Sequence, residues 1–194
     1  YGVNNLGYQI YFTKSGFTIR YDITTVDPEE KIRIGKQREA GEKKDKLTRT
    51  SKTNTVEYVW KNISEKVNVI AENLQFEVFN YLNETDIAKS TYNCKAYEKL
   101  TYKNLYPGIA IEFFFHAEQG IKYSYIVSPG ADISVIQLKY ISEKSPELIG
   151  GNVILSTPFG KIIEHAPISF YNNTKSTIQS TFILKDKTLT FDLG

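Results

Sequence analysis

The strongest constraint on this chain is an alternation that runs twice between Gly108 and Ser128. Ile109, Ile111, Phe113 and Phe115 take turns with Ala110, Glu112, Phe114 and His116, a period of two that gives one buried face only in an extended strand. Ile121, Tyr123, Tyr125 and Val127 then alternate with Lys122, Ser124, Ile126 and Ser128. The link Ala117-Glu118-Gln119-Gly120 is short enough for a hairpin loop. The expectation is an antiparallel hairpin central to the core, with Phe113 pointing inward and Phe114 on the opposite face.

The same period recurs along the chain. Tyr8, Ile10 and Phe12 share a face, and Phe17, Ile19 and Tyr21 repeat it after Thr13-Lys14-Ser15-Gly16. Val56, Tyr58 and Trp60 alternate with Glu57, Val59 and Lys61, and Leu74 to Phe79 keeps the β-branched and aromatic habit. After the turn signal Ser128-Pro129-Gly130 come Ile136, Leu138 and Tyr140, then a compact hairpin around Gly150-Gly151-Asn152, a turn at Thr157-Pro158-Phe159-Gly160, and closing strands near 168–171, 177–184 and 188–193. No helical period is long enough to cross a parallel sheet, so the fold class expected is all-β, an antiparallel β-sandwich. It spans 1–194 as one module, with two packed sub-sandwiches, 1–95 and 96–194, as the subdivided form.

Against this train of strands, the segment at about 27–53 stands out. Aromatic residues vanish, Gly35 and Gly41 punctuate, and residues 36–52 carry seven Lys or Arg against three acids. That composition predicts a mobile charged loop, dispensable for folding. As a partner site it would suit phosphate or a polyanion, but it lacks the interleaved aromatic rings on which single-stranded nucleic acid stacks. Over the whole chain 24 basic residues meet 22 acidic ones, a balance that argues against nucleic acid as partner.

The stretch from Asn80 to Tyr140, together with TPFGKIIEHAP and TLTFDLG, resembles a known family. Its specific points are Tyr102-Lys103-Asn104-Leu105-Tyr106-Pro107-Gly108-Ile109, Lys122-Tyr123, Ser128-Pro129-Gly130-Ala131-Asp132 and Thr157-Pro158-Phe159-Gly160. They are similar to the N-terminal all-β domain of unknown function in secreted, Bacteroidetes-type bacterial proteins that carry SBBP β-propeller repeats or gliding-motility-associated sorting domains. The resemblance covers residues 75–194. Where that family usually has Asp after the Gly-Ile pair, this chain has Ala110. It implies a secreted or cell-surface location and transfers no catalytic or ligand residue.

The residues offer little chemistry. The chain has no phosphate loop, no HExxH helix, no GxSxG elbow and no EF-hand spacing. Two histidines limit base and metal chemistry. His116 sits on the strand face of Glu112, a pair able to share a proton or a metal, and His165 follows Glu164. Glu112, Glu118 and Asp132 are the acids from which a glycoside hydrolase would draw its pair. Trp60, the one tryptophan, is expected as a core plug against the alternative of a sugar platform. Cys94 is alone, so it forms no intrachain disulfide and is expected as a buried thiol. Asn62, Asn83 and Asn172 head glycosylation sequons. With no apolar run near the ~20 residues of a membrane helix and no Met at all, the chain is expected to be a piece of a longer protein without a transmembrane segment here. The functional expectation is a non-catalytic structural or adhesion module, its partners other domains of the same polypeptide or a surface protein or glycan. It has no catalytic, cofactor or metal residues. A carbohydrate-binding module and a glycoside hydrolase are the alternatives.

Overall fold

A computed structural model describes residues 2–5, 7–41, 48–82, 86–116 and 120–194; the side chains of residues 3–5, Arg38 and His116 lie outside that description. The described residues form antiparallel sheets, none of them a closed barrel, in the all-β class expected. They group into two compact units, one of Tyr1–Trp60 with Leu138–Gly194 and one of Lys61–Gln137. The subdivision at residue 95 falls elsewhere than expected, because a single strand, Thr91–Tyr106, runs straight through it.

The first unit begins with β1 (Gly2–Asn5), β2 (Tyr8–Thr13), β3 (Gly16–Val26), helix α1 (Pro28–Glu39) and β4 (Arg49–Trp60). The second unit supplies β5 (Asn68–Tyr81), β6 (Thr91–Tyr106), β7 (Ile109–His116) and β8 (Gly120–Val127). The chain then returns through β9 (Leu138–Ile141), β10 (Glu147–Ile149), β11 (Asn152–Thr157), β12 (Gly160–Glu164), β13 (Ser169–Phe170), β14 (Thr177–Ile178), β15 (Ser180–Lys185) and β16 (Thr188–Leu193).

In the first unit a seven-stranded sheet of order β1-β2-β3-β4-β9-β16-β15 is accompanied by the three-stranded sheet β10-β11-β12 and the pair β13-β14. The alternation read from sequence sets its inner face: Ile10, Phe12, Phe17, Ile19, Val56, Tyr58, Trp60, Leu138, Tyr140 and Leu189 are all buried. Trp60 is 2% exposed, a core plug and no platform. Rings line up across the strands. Phe17 stacks on Tyr58 at 4.2 Å between centroids, Tyr58 meets Tyr140 edge-on at 5.1 Å, and the Tyr140 hydroxyl donates to Glu164 of β12 at 2.7 Å. Tyr21 reaches Phe159 in the β11–β12 turn, so the small sheet covers the large one, with Val153 and Leu155 buried beneath it. Gly16 is required where β3 begins, because a methyl group there would overlap the Tyr58 carbonyl oxygen.

The charged segment is not the loop its composition predicts. Asp27 caps α1 by accepting from the Glu29 N–H at 2.9 Å, and Pro28 takes the first helical position with Glu29 and Glu30 behind it. Glu30 accepts from both the N–H and the hydroxyl of Thr48, tying the helix to the start of β4. Ile34 is buried while Ile32 is 61% exposed, so among the described residues Ile34 is the helix's one buried apolar side chain. From Arg49 onward the segment is strand, paired to β3 as far as Val26. Residues 42–47 lie outside the description.

The second unit is one four-stranded sheet of order β5-β6-β7-β8. The predicted hairpin is present, pairing Ile109 with Val127 through His116 with Gly120 in unbroken register, its link 117–119 outside the described residues. Ile109, Ile111 and Phe113 share the buried face with Leu100 and Tyr102. Phe113 is 3% exposed and Phe114 38%. Phe115 departs from expectation at 42% exposed: β7 pairs with β6 only as far as Phe114 and Lys99, so among the described residues Phe115 has no β6 partner beside it.

Two stability measurements follow from this packing. Chemical denaturation should show Phe113→Ala losing roughly 3–5 kcal/mol and Phe114→Ala under about 1 kcal/mol, with equal losses excluding the register described. Gly16→Ala should lower the melting temperature by several degrees, as an added methyl in a packed strand costs about 1–3 kcal/mol.

Candidate functional site

Paired residues of an antiparallel sheet share a face, so the register of the second unit assembles its outward surface. Lys99 of β6 lies between Glu72 of β5 and Phe114 of β7, and Thr101 lies between Ile70 and Glu112. The Lys99 ammonium bridges both acids, 3.0 Å from Glu112 Oε1 and 3.4 Å from Glu72 Oε2. The Thr101 hydroxyl, buried under these side chains, donates to Glu72 Oε2 as well. This hydrogen bond and the Lys99 charge hold the Glu72 carboxyl below its ordinary value, while the Glu112 hydrogen bond and both carboxylate charges raise the Lys99 ammonium. Glu72 and Lys99 are thus both charged at neutral pH.

The acids considered for hydrolysis are not brought together. Glu112 is held by Lys99. Asp132 accepts from the Ser134 N–H at 2.9 Å and caps the 3₁₀ turn Ile133–Val135, and the Ser134 hydroxyl, with that N–H, lowers its carboxyl. Glu118 and the His116 side chain lie outside the described residues. His165 is exposed just past β12, while its neighbour Glu164 turns inward to Tyr140. The buried tyrosines are no better placed for chemistry. Burial pushes the Tyr58 hydroxyl far above the ordinary range, assisted by the Glu164 charge and by Tyr21. Cys94 is half-buried on β6. Asn62 and Asn172 are exposed, and Asn83 lies outside the description. Among the described residues no three His, Cys, Asp or Glu side chains gather as a metal site requires, and no helix is long and apolar enough to cross a membrane. A shallow depression on the first unit, lined by Thr53, Asn54, Thr55, Glu57, Ile141, Ser142 and Glu143, is open to solvent.

Two features of the second unit were missed in the sequence. Lys95, Tyr97, Lys99, Thr101 and Lys103 alternate along β6, so one face of one strand carries three cations and a ring. Their period of two was the available signal. The other feature is an overhang. Beyond Lys99 strand β6 pairs with β5 alone, out to Tyr81 and Thr91, so a two-stranded ribbon extends past the sheet among the described residues. A bulge between Leu74 and Val78 bends it.

A family model described as a domain of unknown function (DUF7948) matches residues 1–194, including the first half that the resemblance left out. No curated protein and no solved structure matches the chain.

The ladder predicts a specific acid sensitivity. A carboxyl depressed in the folded state contributes stability above its unfolded value, near 4.5 for Glu72, and loses it as pH falls through the folded value. Urea midpoints measured at neutral pH and near pH 3 should therefore fall less in Glu72→Gln than in the parent chain. An unchanged acid loss in the variant excludes coupling of the ladder to folding.

Proposed function

The chain belongs to the DUF7948 family of domains of unknown function, and on that footing we propose that it is a non-catalytic structural or adhesion module of a large secreted or cell-surface bacterial protein. Its setting is that of the domains it resembles, beside SBBP β-propeller repeats or gliding-motility-associated sorting domains. Its partners are other domains of the same polypeptide, or protein or glycan at a cell surface.

The observation that carries this reading is the overhanging β5–β6 ribbon. Leu74, Val78, Phe79 and Tyr81 are 49–58% exposed there, and Phe76 is fully exposed. With large aromatic side chains carrying roughly 150–250 Å² each, the ribbon leaves several hundred Å² of apolar surface open, on the scale of patches that mark interaction sites. A two-stranded ribbon is marginal in water by itself, so cover from a partner stabilises it. Of the acids considered for hydrolysis, Glu112 is engaged by Lys99 and Asp132 by Ser134.

Two measurements test the reading. Incubation with a panel of polysaccharides, followed by release of reducing ends, should give no turnover; turnover abolished in Glu112→Gln overturns the proposal. Co-sedimentation of the purified chain with bacterial cells should drop about tenfold when Leu74, Val78, Phe79 and Tyr81 are all changed to Ser, a loss of about 1.4 kcal/mol, with the melting temperature of the rest kept.

A further inference from the structure

We propose that the outward face of the four-stranded sheet binds an acidic polysaccharide, a chain of hydroxylated rings bearing uronate or sulfate groups. This inference rests on the reading of the chain as a non-catalytic interaction module and names a ligand class for it.

The row along β6 is the backbone of the site. Lys95, Lys99 and Lys103 stand four residues apart on one face, about 13 Å from each to the next at strand rise, with Tyr97 between the first two. The register shift between Leu74 and Val78 places its extra residues on β5, opposite Tyr97 and Lys95, and the irregularities of β6 itself fall toward the two ends of the row, between Thr91 and Cys94 and between Tyr102 and Tyr106. Lys122 of β8 joins it beside Phe114. Among the described residues of this face four ammonium groups meet two carboxylates, Glu72 and Glu112, an excess of two positive charges. The near-neutral total of the chain conceals this local excess. An elongated anion is the complementary partner.

Two further observations select a glycan among anions. Tyr97 and Phe114 keep 41% and 38% of their surface open, offering ring faces of the kind that lie against the apolar side of a sugar. Among the described residues Glu72 engages Thr101 and Lys99 through Oε2, and Glu112 engages Lys99 through Oε1. The second oxygen of each carboxylate remains an acceptor for a ligand hydroxyl. A DNA backbone brings closely spaced phosphates, which these carboxylates repel, and no hydroxyl donors to satisfy them. A sugar chain with sparser charge supplies both the anions for the lysines and the donors for Glu72 and Glu112.

Affinity electrophoresis of the purified chain through gels containing alginate, polygalacturonate, heparin or neutral dextran tests the proposal. The acidic gels should retard it and dextran should not, with retardation weakening as salt rises. Alginate or polygalacturonate without heparin identifies carboxylate as the anion, and heparin alone identifies sulfate; both support the site. Lys95→Ala and Lys103→Ala, neither in the Glu72–Lys99–Glu112 ladder, should each weaken binding about threefold to tenfold, and Tyr97→Ala by a similar factor that persists at high salt. Equal affinity for oligo-dT or for anionic phospholipid vesicles overturns the glycan assignment, as does binding indifferent to Lys95→Ala and Lys103→Ala. Failure to bind any acidic glycan, with ribbon-dependent attachment to cells retained, overturns this inference and leaves the interaction module standing. Hydrolysis of the retained polysaccharide overturns the module reading itself.

Discussion

A seam of aromatic rings across β2, β3, β4 and β9 is the interaction on which the first unit depends. Phe12 touches Phe17, Phe17 stacks on Tyr58, Tyr58 abuts Tyr140, and Tyr140 ends the seam with a hydrogen bond to Glu164. Each ring contributes apolar area and an edge or face for the next, worth about 0.5–1.5 kcal/mol per pair beyond burial. The seam also accounts for a half-buried carboxylate neighbour. Glu164 lies against the core because a tyrosine hydroxyl at the end of the row needs an acceptor, and that bond joins the small sheet to the large one.

Most of the strands were legible because a two-residue period is unambiguous wherever one face is buried. Leu138 and Tyr140 of β9 illustrate this, two residues apart in sequence and both buried. The hairpin of β10 and β11 was legible for a different reason: Gly150 and Gly151 both take positive φ, the conformation a two-residue turn demands. Helix α1 is hidden in composition, which reports the charge of the segment and not its local chemistry. Its apolar periodicity is nearly absent, but Asp27-Pro28-Glu29-Glu30 is a helix start written in full, and caps with a single buried isoleucine were enough. Phe115 shows the opposite limit. Alternation says which way a side chain points, not whether anything lies there to cover it.

The candidate site was harder to read for a physical reason. Glu112 was singled out as an acid by its position, but its role is set by Lys99 on one neighbouring strand and, through Lys99, by Glu72 on the far side. Such a ladder depends on register between segments far apart in sequence, and a bulge in β5 shifts that register within the same strand. The alternation of β6 was visible along one segment, but the two acids that turn a row of lysines into a mixed surface arrive from other strands.

The second unit leaves the first after Trp60 and the chain returns at Leu138, and these two residues are cross-strand partners in the β4–β9 ladder. Closing a flexible loop of that length, residues 61–137, costs an entropy equivalent to roughly 4 kcal/mol, a penalty that the short β4–β9 contact alone repays poorly. If the intervening sheet forms beforehand, the Lys61 N–H is already bonded to the Gln137 carbonyl at 3.0 Å, and the two strands arrive side by side with the loop penalty already met. An inserted sheet that forms before the β4–β9 pairing spares that pairing the loop entropy, a consequence of the connectivity alone.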